Sequence, residues 1–136
     1  MENLIIVYGM IKRVDPLLGL VNASFPALLA TPGGRKRAPN LAQSLAWGAL
    51  CSKDERLYRV AVQQVEELDG AFDLGGPALD CLAALYAVLD DRAKMFATLE
   101  RLRSMKYDGL AALEKDKHFA SMHRDPEFKA FFAARR

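Results

Sequence analysis

Few side chains in this sequence are of a type that does covalent or metal chemistry, and their spacing limits what they can do. His118 and His123 stand five residues apart, which on one helix turns them to different faces. They read as exposed or capping histidines rather than a ligand pair. Neither HExxH nor a paired CxxC occurs, so no metal is expected. Cys51 and Cys81 each lie in an apolar helical stretch without a neighbouring histidine. Both read as reduced, buried thiols rather than nucleophiles, because a reactive thiol needs a base and a third group to hold that base. The glycine pairs Gly33-Gly34 and Gly75-Gly76 lack the spacing that cradles phosphates and read as turns. Glu66, Glu67, Asp69, Asp90, Asp91, Glu114 and Asp116 fall mostly at helix ends, where capping accounts for them and no general acid stands out. The expectation is a protein without an enzymatic site and without a cofactor.

Charge gives a second test. Lys and Arg number 19 against 17 Asp and Glu, a net of +2, too small to predict a polyanionic partner. Residues 1–91 hold 8 basic and 11 acidic side chains, whereas residues 92–136 hold 11 basic and 6 acidic, so the C-terminal third is mildly basic. That asymmetry keeps a nucleic-acid adaptor as one alternative. Against it, Glu100, Asp108 and Asp116 are interspersed with Arg101, Arg103, Lys106, Lys115, Lys117 and Lys129, and phosphate binding depends on clustering rather than count. At 136 residues, 51% hydrophobic and 26% charged, the chain fits one folded domain. The apolar run from Leu4 to Ile11 is eight residues, far below the roughly 20 of a membrane span. Glu2 precedes that run and Lys12 and Arg13 follow it, which is the wrong order for a secretory signal. A cytoplasmic protein with no membrane partner is expected.

The elements that must position these residues are helical. Eight of the 15 Gly and Pro residues lie within the first 39, which divides the chain into an apolar N-terminal segment and loop, 1–39, and a helical domain, 40–136. Asn40 can cap a helix bearing Leu41, Leu45, Ala46, Ala49 and Leu50. Ser52 and Glu55 form a capping box for a second with Leu57, Ala61, Val65 and Leu68, ended by Asp69-Gly70. Pro77 starts a third with Leu79, Leu82, Ala83, Tyr86 and Leu89. Asp90 or Asp91 caps a fourth with Met95, Leu99, Leu102 and Met105. Asp108 opens a short fifth, and Asp125-Pro126 gives N-cap and N1 of the last, which carries Phe128, Phe131 and Phe132. No run after residue 39 alternates as a half-buried strand does. The expected fold is all-α.

Two successive hairpins suggest a helical repeat. Residues 82–102, LAALYAVLDDRAKMFATLERL, resemble a tetratricopeptide repeat, with Leu82, Ala83 and Tyr86 at the pattern positions of its first helix. Met95 and Leu102 stand where that pattern prefers alanine, and Leu99 stands where it often has an aromatic. In the tail, Asp116-Lys117-His118-Phe119 recurs nine residues later as Asp125-Pro126-Glu127-Phe128, similar to the ending of many bacterial tetratricopeptide proteins. Each Asp can cap a short helix and each Phe can fold back over the array's open end. The resemblance implies helical hairpins stacked as a short right-handed array with a C-terminal cap.

It also implies that the first helix of each hairpin lines a concave groove, which would place Ala42, Ala46, Ala49, Asp80, Ala84 and Ala87 there. A floor of alanine suits an apolar helix or segment of a protein or peptide partner. Residues 1–30 supply Leu17, Leu18, Val21, Phe25 and Leu28 at near-helical spacing, either completing the core in cis or joining a second copy as a homodimer. The leading expectation is a protein-interaction or assembly module. A small-ligand pocket involving Trp47, Tyr58 and Tyr86 is the other alternative.

Overall fold

In the computed structural model, which describes residue 30 and residues 33–134, every regular element is helical. Helix α1 spans Gly34–Ser52 and α2 Glu55–Ala71. Helix α3 spans Gly76–Val88 and α4 Arg92–Ser104. A short α5, Leu110–Leu113, a 3₁₀-helix, Lys117–Met122, and α6, Pro126–Ala133, complete the order. Helices α1 and α2 pack as one hairpin and α3 and α4 as another, α3 lies against α1, and the 3₁₀-helix packs on α3. The fold is thus an all-α stack of helical hairpins closed at its C-terminal end.

Local chemistry explains most helix starts. The Asp54 carboxylate accepts from Arg56 N, that of Asp91 from Lys94 N, and that of Asp116 from His118 N. Each satisfies a donor that the first turn leaves without a partner. Three expected starts are different, the first being that of α5, which begins at Leu110 with Gly109 rather than Asp108 at its N-cap and no side-chain cap. Asn40 lies inside α1, which begins at Gly34 and runs through Pro39, so the division at residue 39 falls within a helix. The helix gives up one main-chain hydrogen bond at the proline, and in return Ala38 reaches the core with no exposed surface. Ser52 does not cap α2. Its hydroxyl donates to Ala49 O at 2.6 Å and accepts from Asp54 N at 3.2 Å, which passes the capping role to Asp54.

Helix ends are closed by left-handed residues that are not glycine. Lys53, Asp90 and Lys106 have φ of 56°, 58° and 55°. After α3, Asp91 N donates to Tyr86 O and Asp90 N to Ala87 O; after α4, Tyr107 N donates to Leu102 O and Lys106 N to Arg103 O. Both are Schellman closures, in which glycine is the usual left-handed residue. Gly70, expected to end α2, is instead helical, and α2 continues to Ala71. Because α4 stops at Ser104, Met105 leaves the apolar stripe and is 45% exposed.

The cap at the C-terminal end joins covalent neighbours and distant ones. Phe119, Phe128 and Phe132 are buried, with Phe128 ring centroids 5.8 Å from Phe119 and 4.8 Å from Phe132. Asp125 accepts from Glu127 N at 2.9 Å and Phe128 N at 3.1 Å, and its carboxylate takes a bidentate pair from Arg92 of α4. The Arg92 hydrogen bond, helped by those from the Phe128 and Glu127 backbone, holds the Asp125 carboxyl down at about 2.

Two predictions follow from these ends. Asn caps a helix about as well as Asp, so Asp125→Asn removes mainly the charge. A carboxyl depressed in the folded state stabilises above its unfolded value, near ~3.9, and loses that contribution as pH falls through the folded value. The melting-temperature gap between the wild type and Asp125→Asn should therefore be full above about pH 5 and close as pH falls from about 4 to about 2; a gap of constant size would contradict this ion pair. Lys106→Gly should relieve the left-handed strain and raise stability by up to ~1 kcal/mol in urea unfolding, whereas a destabilised variant would show that the closure is not strained.

Candidate functional site

Four elements end around one cleft of about 550 Å³, lined by Trp47, Leu50, Cys51, Lys53, Tyr58, Val88, Lys117 and His118. Trp47, Leu50 and Cys51 occur at i, i+3 and i+4 on the last turns of α1, so they share a face. Lys53 follows at the left-handed turn, Tyr58 comes from the first turn of α2, and Val88 is the last residue of α3. Lys117 and His118 open the 3₁₀-helix. The site is therefore assembled from helix ends.

Trp47 is the dominant apolar group there, 42% exposed although the helix that carries it is otherwise largely buried. The His118 ring meets it edge-on, with centroids 6.1 Å apart and planes at 78°. His118 is itself fixed by Asp116, whose Oδ1 lies 2.8 Å from both the His118 backbone N and Nδ1. One carboxylate thus caps the 3₁₀-helix and orients the ring that flanks Trp47. Burial pushes the Tyr58 hydroxyl up, with a smaller contribution from the Asp54 charge.

Of the two thiols expected to be buried, Cys81 is and Cys51 is not. Cys81 is buried and burial pushes its thiol up to about 12, which keeps it protonated and unreactive. Cys51 is half-buried and shares the cleft with His118, but no hydrogen bond joins the two among the described residues. His118 and His123 are separated: His123 lines a second cleft with Glu114, Lys115, Phe128 and Lys129. Among the described residues no group of three or more His, Cys, Asp and Glu gathers as a metal would require.

The alanine groove is not open among the described residues. Ala42, Ala46 and Ala49 have no exposed surface, and Ala84 and Ala87 are each 3% exposed. Small side chains here allow close helix approach instead of leaving a floor for a partner. Asp80 is also occupied, accepting from the Tyr107 hydroxyl at 3.0 Å. Burial raises its carboxyl against the lowering effect of that hydrogen bond. Leu17, Leu18, Val21, Phe25 and Leu28 lie outside the described residues. Of the three aromatics expected to share a pocket, Trp47 and Tyr58 do so. Tyr86 instead buries its ring and donates to Glu66 at 2.6 Å.

The basic residues of α4 are committed to acids. Arg101 pairs with Asp69, Lys94 with Glu66 at 3.0 Å, Arg92 with Asp125 and Glu127, and Arg103 with Glu100. Sequence reasoning missed the contributions of Lys53, Lys117 and His118 to the cleft. Only the i, i+3, i+4 grouping of Trp47, Leu50 and Cys51 could have signalled it, as a second apolar face on a helix whose first face is complete.

These elements define a helical-hairpin stack with an aromatic cleft at the helix ends. In comparisons with family models, curated proteins and solved structures, nothing matches the chain. No helix of the described residues is long and apolar enough to cross a membrane.

Because Trp47 is 42% exposed, Trp47→Ala should cost about 1–2 kcal/mol in urea unfolding, less than Leu45→Ala, at a fully buried position, which should cost about 2–5 kcal/mol. Circular dichroism monitors both. Equal losses would place Trp47 in the core and remove the cleft.

Proposed function

We propose that this chain is a non-enzymatic protein-interaction module of tetratricopeptide-like architecture, taking an apolar segment of a partner protein into the Trp47 cleft. The architecture is supported by the hairpin order: α1 lies beside α3, α2 also contacts α3, and the 3₁₀-helix packs on α3, where a further hairpin would begin. The tail motif, with Phe119 and Phe128 buried under two capped turns, supports an end cap. The binding surface moves from the alanine face, which is buried, to the cleft.

The observation that carries the reading is the exposure of Trp47 at the head of that cleft. Interface energy concentrates in aromatic anchors beside well-formed pockets. Ion pairing along α4 leaves fewer free cations for a polyanion, which weighs against the nucleic-acid alternative. A small apolar ligand is the second reading, favoured by the volume of about 550 Å³ and the meeting of Trp47 with Tyr58.

The test is selection of short peptides from a displayed random library on the immobilised full chain. Selected peptides should carry a large apolar anchor and shift the emission of Trp47, the single tryptophan. Trp47→Ala, read by calorimetry, should weaken them roughly 30-fold or more. Binders indifferent to that substitution would overturn the proposal. A response of Trp47 to small amphipathic molecules with no peptide selected would favour the second reading, and a mass that rises with concentration in sedimentation would identify a second copy as the occupant.

A further inference from the structure

We infer that the segment taken by the Trp47 cleft is acidic, presenting an Asp or Glu side chain next to its apolar anchor, with Lys53 and Lys117 as the groups that receive it. This inference rests on the interaction-module reading and adds the chemistry of the partner. Lys53 and Lys117 both line the cleft, and among the described residues no carboxylate lines it with them. Neither lysine forms an ion pair among the described residues, in contrast to Arg92, Lys94, Arg101 and Arg103, which are all paired.

The acids next to these lysines in the chain are already engaged. Asp54 caps α2 and pairs with Arg56 at 3.2 Å, and Asp116 holds His118 at 2.8 Å. Helix ends oppose the inference, since α1 and α3 both finish at the cleft with roughly half a negative charge each. The first turn of α2 offers about half a positive charge, offset by its Asp54 cap. Asp116 adds a full negative charge, since His118 is charged only when protonated, but that carboxylate is turned to the His118 ring and backbone N, so the ammoniums of Lys53 and Lys117 are the full charges that line the cleft itself. Its floor of Trp47, Leu50, Cys51 and Val88 is apolar. Both lysines are exposed, so their stems line the cleft while the ammoniums stay at its water-facing rim, where an adjacent carboxylate supplies a counter-charge that a neutral apolar segment does not.

The experiment compares peptides selected from a displayed random library on the wild-type chain and on the Lys53→Glu/Lys117→Glu double variant, with folding of both checked by circular dichroism. On the wild type, Asp and Glu should be enriched beside the anchor. On the variant the enrichment should turn to Lys and Arg, and peptides selected on the wild type should bind it about tenfold more weakly. As a measurement that needs no variant, their affinity for the wild type should fall as salt rises. Peptides that depend on Trp47 yet show neither acidic enrichment nor salt dependence would overturn this inference and leave the interaction module standing. Peptides indifferent to Trp47→Ala would overturn both.

Discussion

Burial of α3 on nearly every side is the constraint from which the arrangement follows. Ten of its 13 residues are buried, and a helix that is apolar all round needs neighbours all round. It finds them in α1, α2, α4 and the 3₁₀-helix. Alanine at positions 78, 83, 84 and 87 brings those neighbours close, and Leu79, Leu82 and Leu85 fill the remaining space. At its first residue, Gly76 leaves room for the Tyr107 ring, which a Cβ would strike. Tyr107 in turn donates to Asp80, so the one carboxylate within α3 has a partner. Burial together with that bond pushes the Tyr107 hydroxyl up to about 12.

Polar contacts lie at the edges of this core and fix how the hairpins align. Glu66 of α2 accepts from the Tyr86 hydroxyl and from Lys94. Burial would raise its carboxyl, but these two partners outweigh it and hold the group below the usual value. Arg101 reaches Asp69 farther along the same two helices, about one turn on in α2 and two in α4. Exposed pairs of this kind contribute little to stability. Their effect is on register, whereas apolar burial along α3 supplies the stability.

What the sequence makes legible follows from range. Asp116 and Asp125 are read correctly as helix starts, and Asp91 as one of two candidates, because the donors they satisfy lie within three residues, while Pro77 is read correctly because it has no donor to satisfy. Ser52 and Asn40 fail for a reason outside that window: Ser52 is drawn back to the Ala49 carbonyl, and α1 starts early because Ala38 gains a buried place. The α4 end is misjudged because Lys106, not a glycine, takes the left-handed position. For α3, periodicity marks a single face, since a 3.6-residue pattern cannot reveal a helix enclosed from several sides. Trp47 and Tyr58 are identifiable as aromatics worth placing together, but Lys117 and His118 reach them from about 60 to 70 residues away, a distance no local pattern spans.

The alanines show how one composition serves two opposed purposes. Small side chains line grooves that admit a foreign helix, and they equally let two helices of one fold approach, so the residue type alone does not distinguish a site from a core. What separates them is which surface the rest of the chain leaves uncovered. Here the covered surface is the regular one and the uncovered surface is irregular, where helices stop and side chains diverge. Asp116 links the two regimes, because the carboxylate that closes the first turn of the 3₁₀-helix also holds His118 against Trp47. A capping interaction, normally a matter of helix stability, therefore also sets the shape of the cleft.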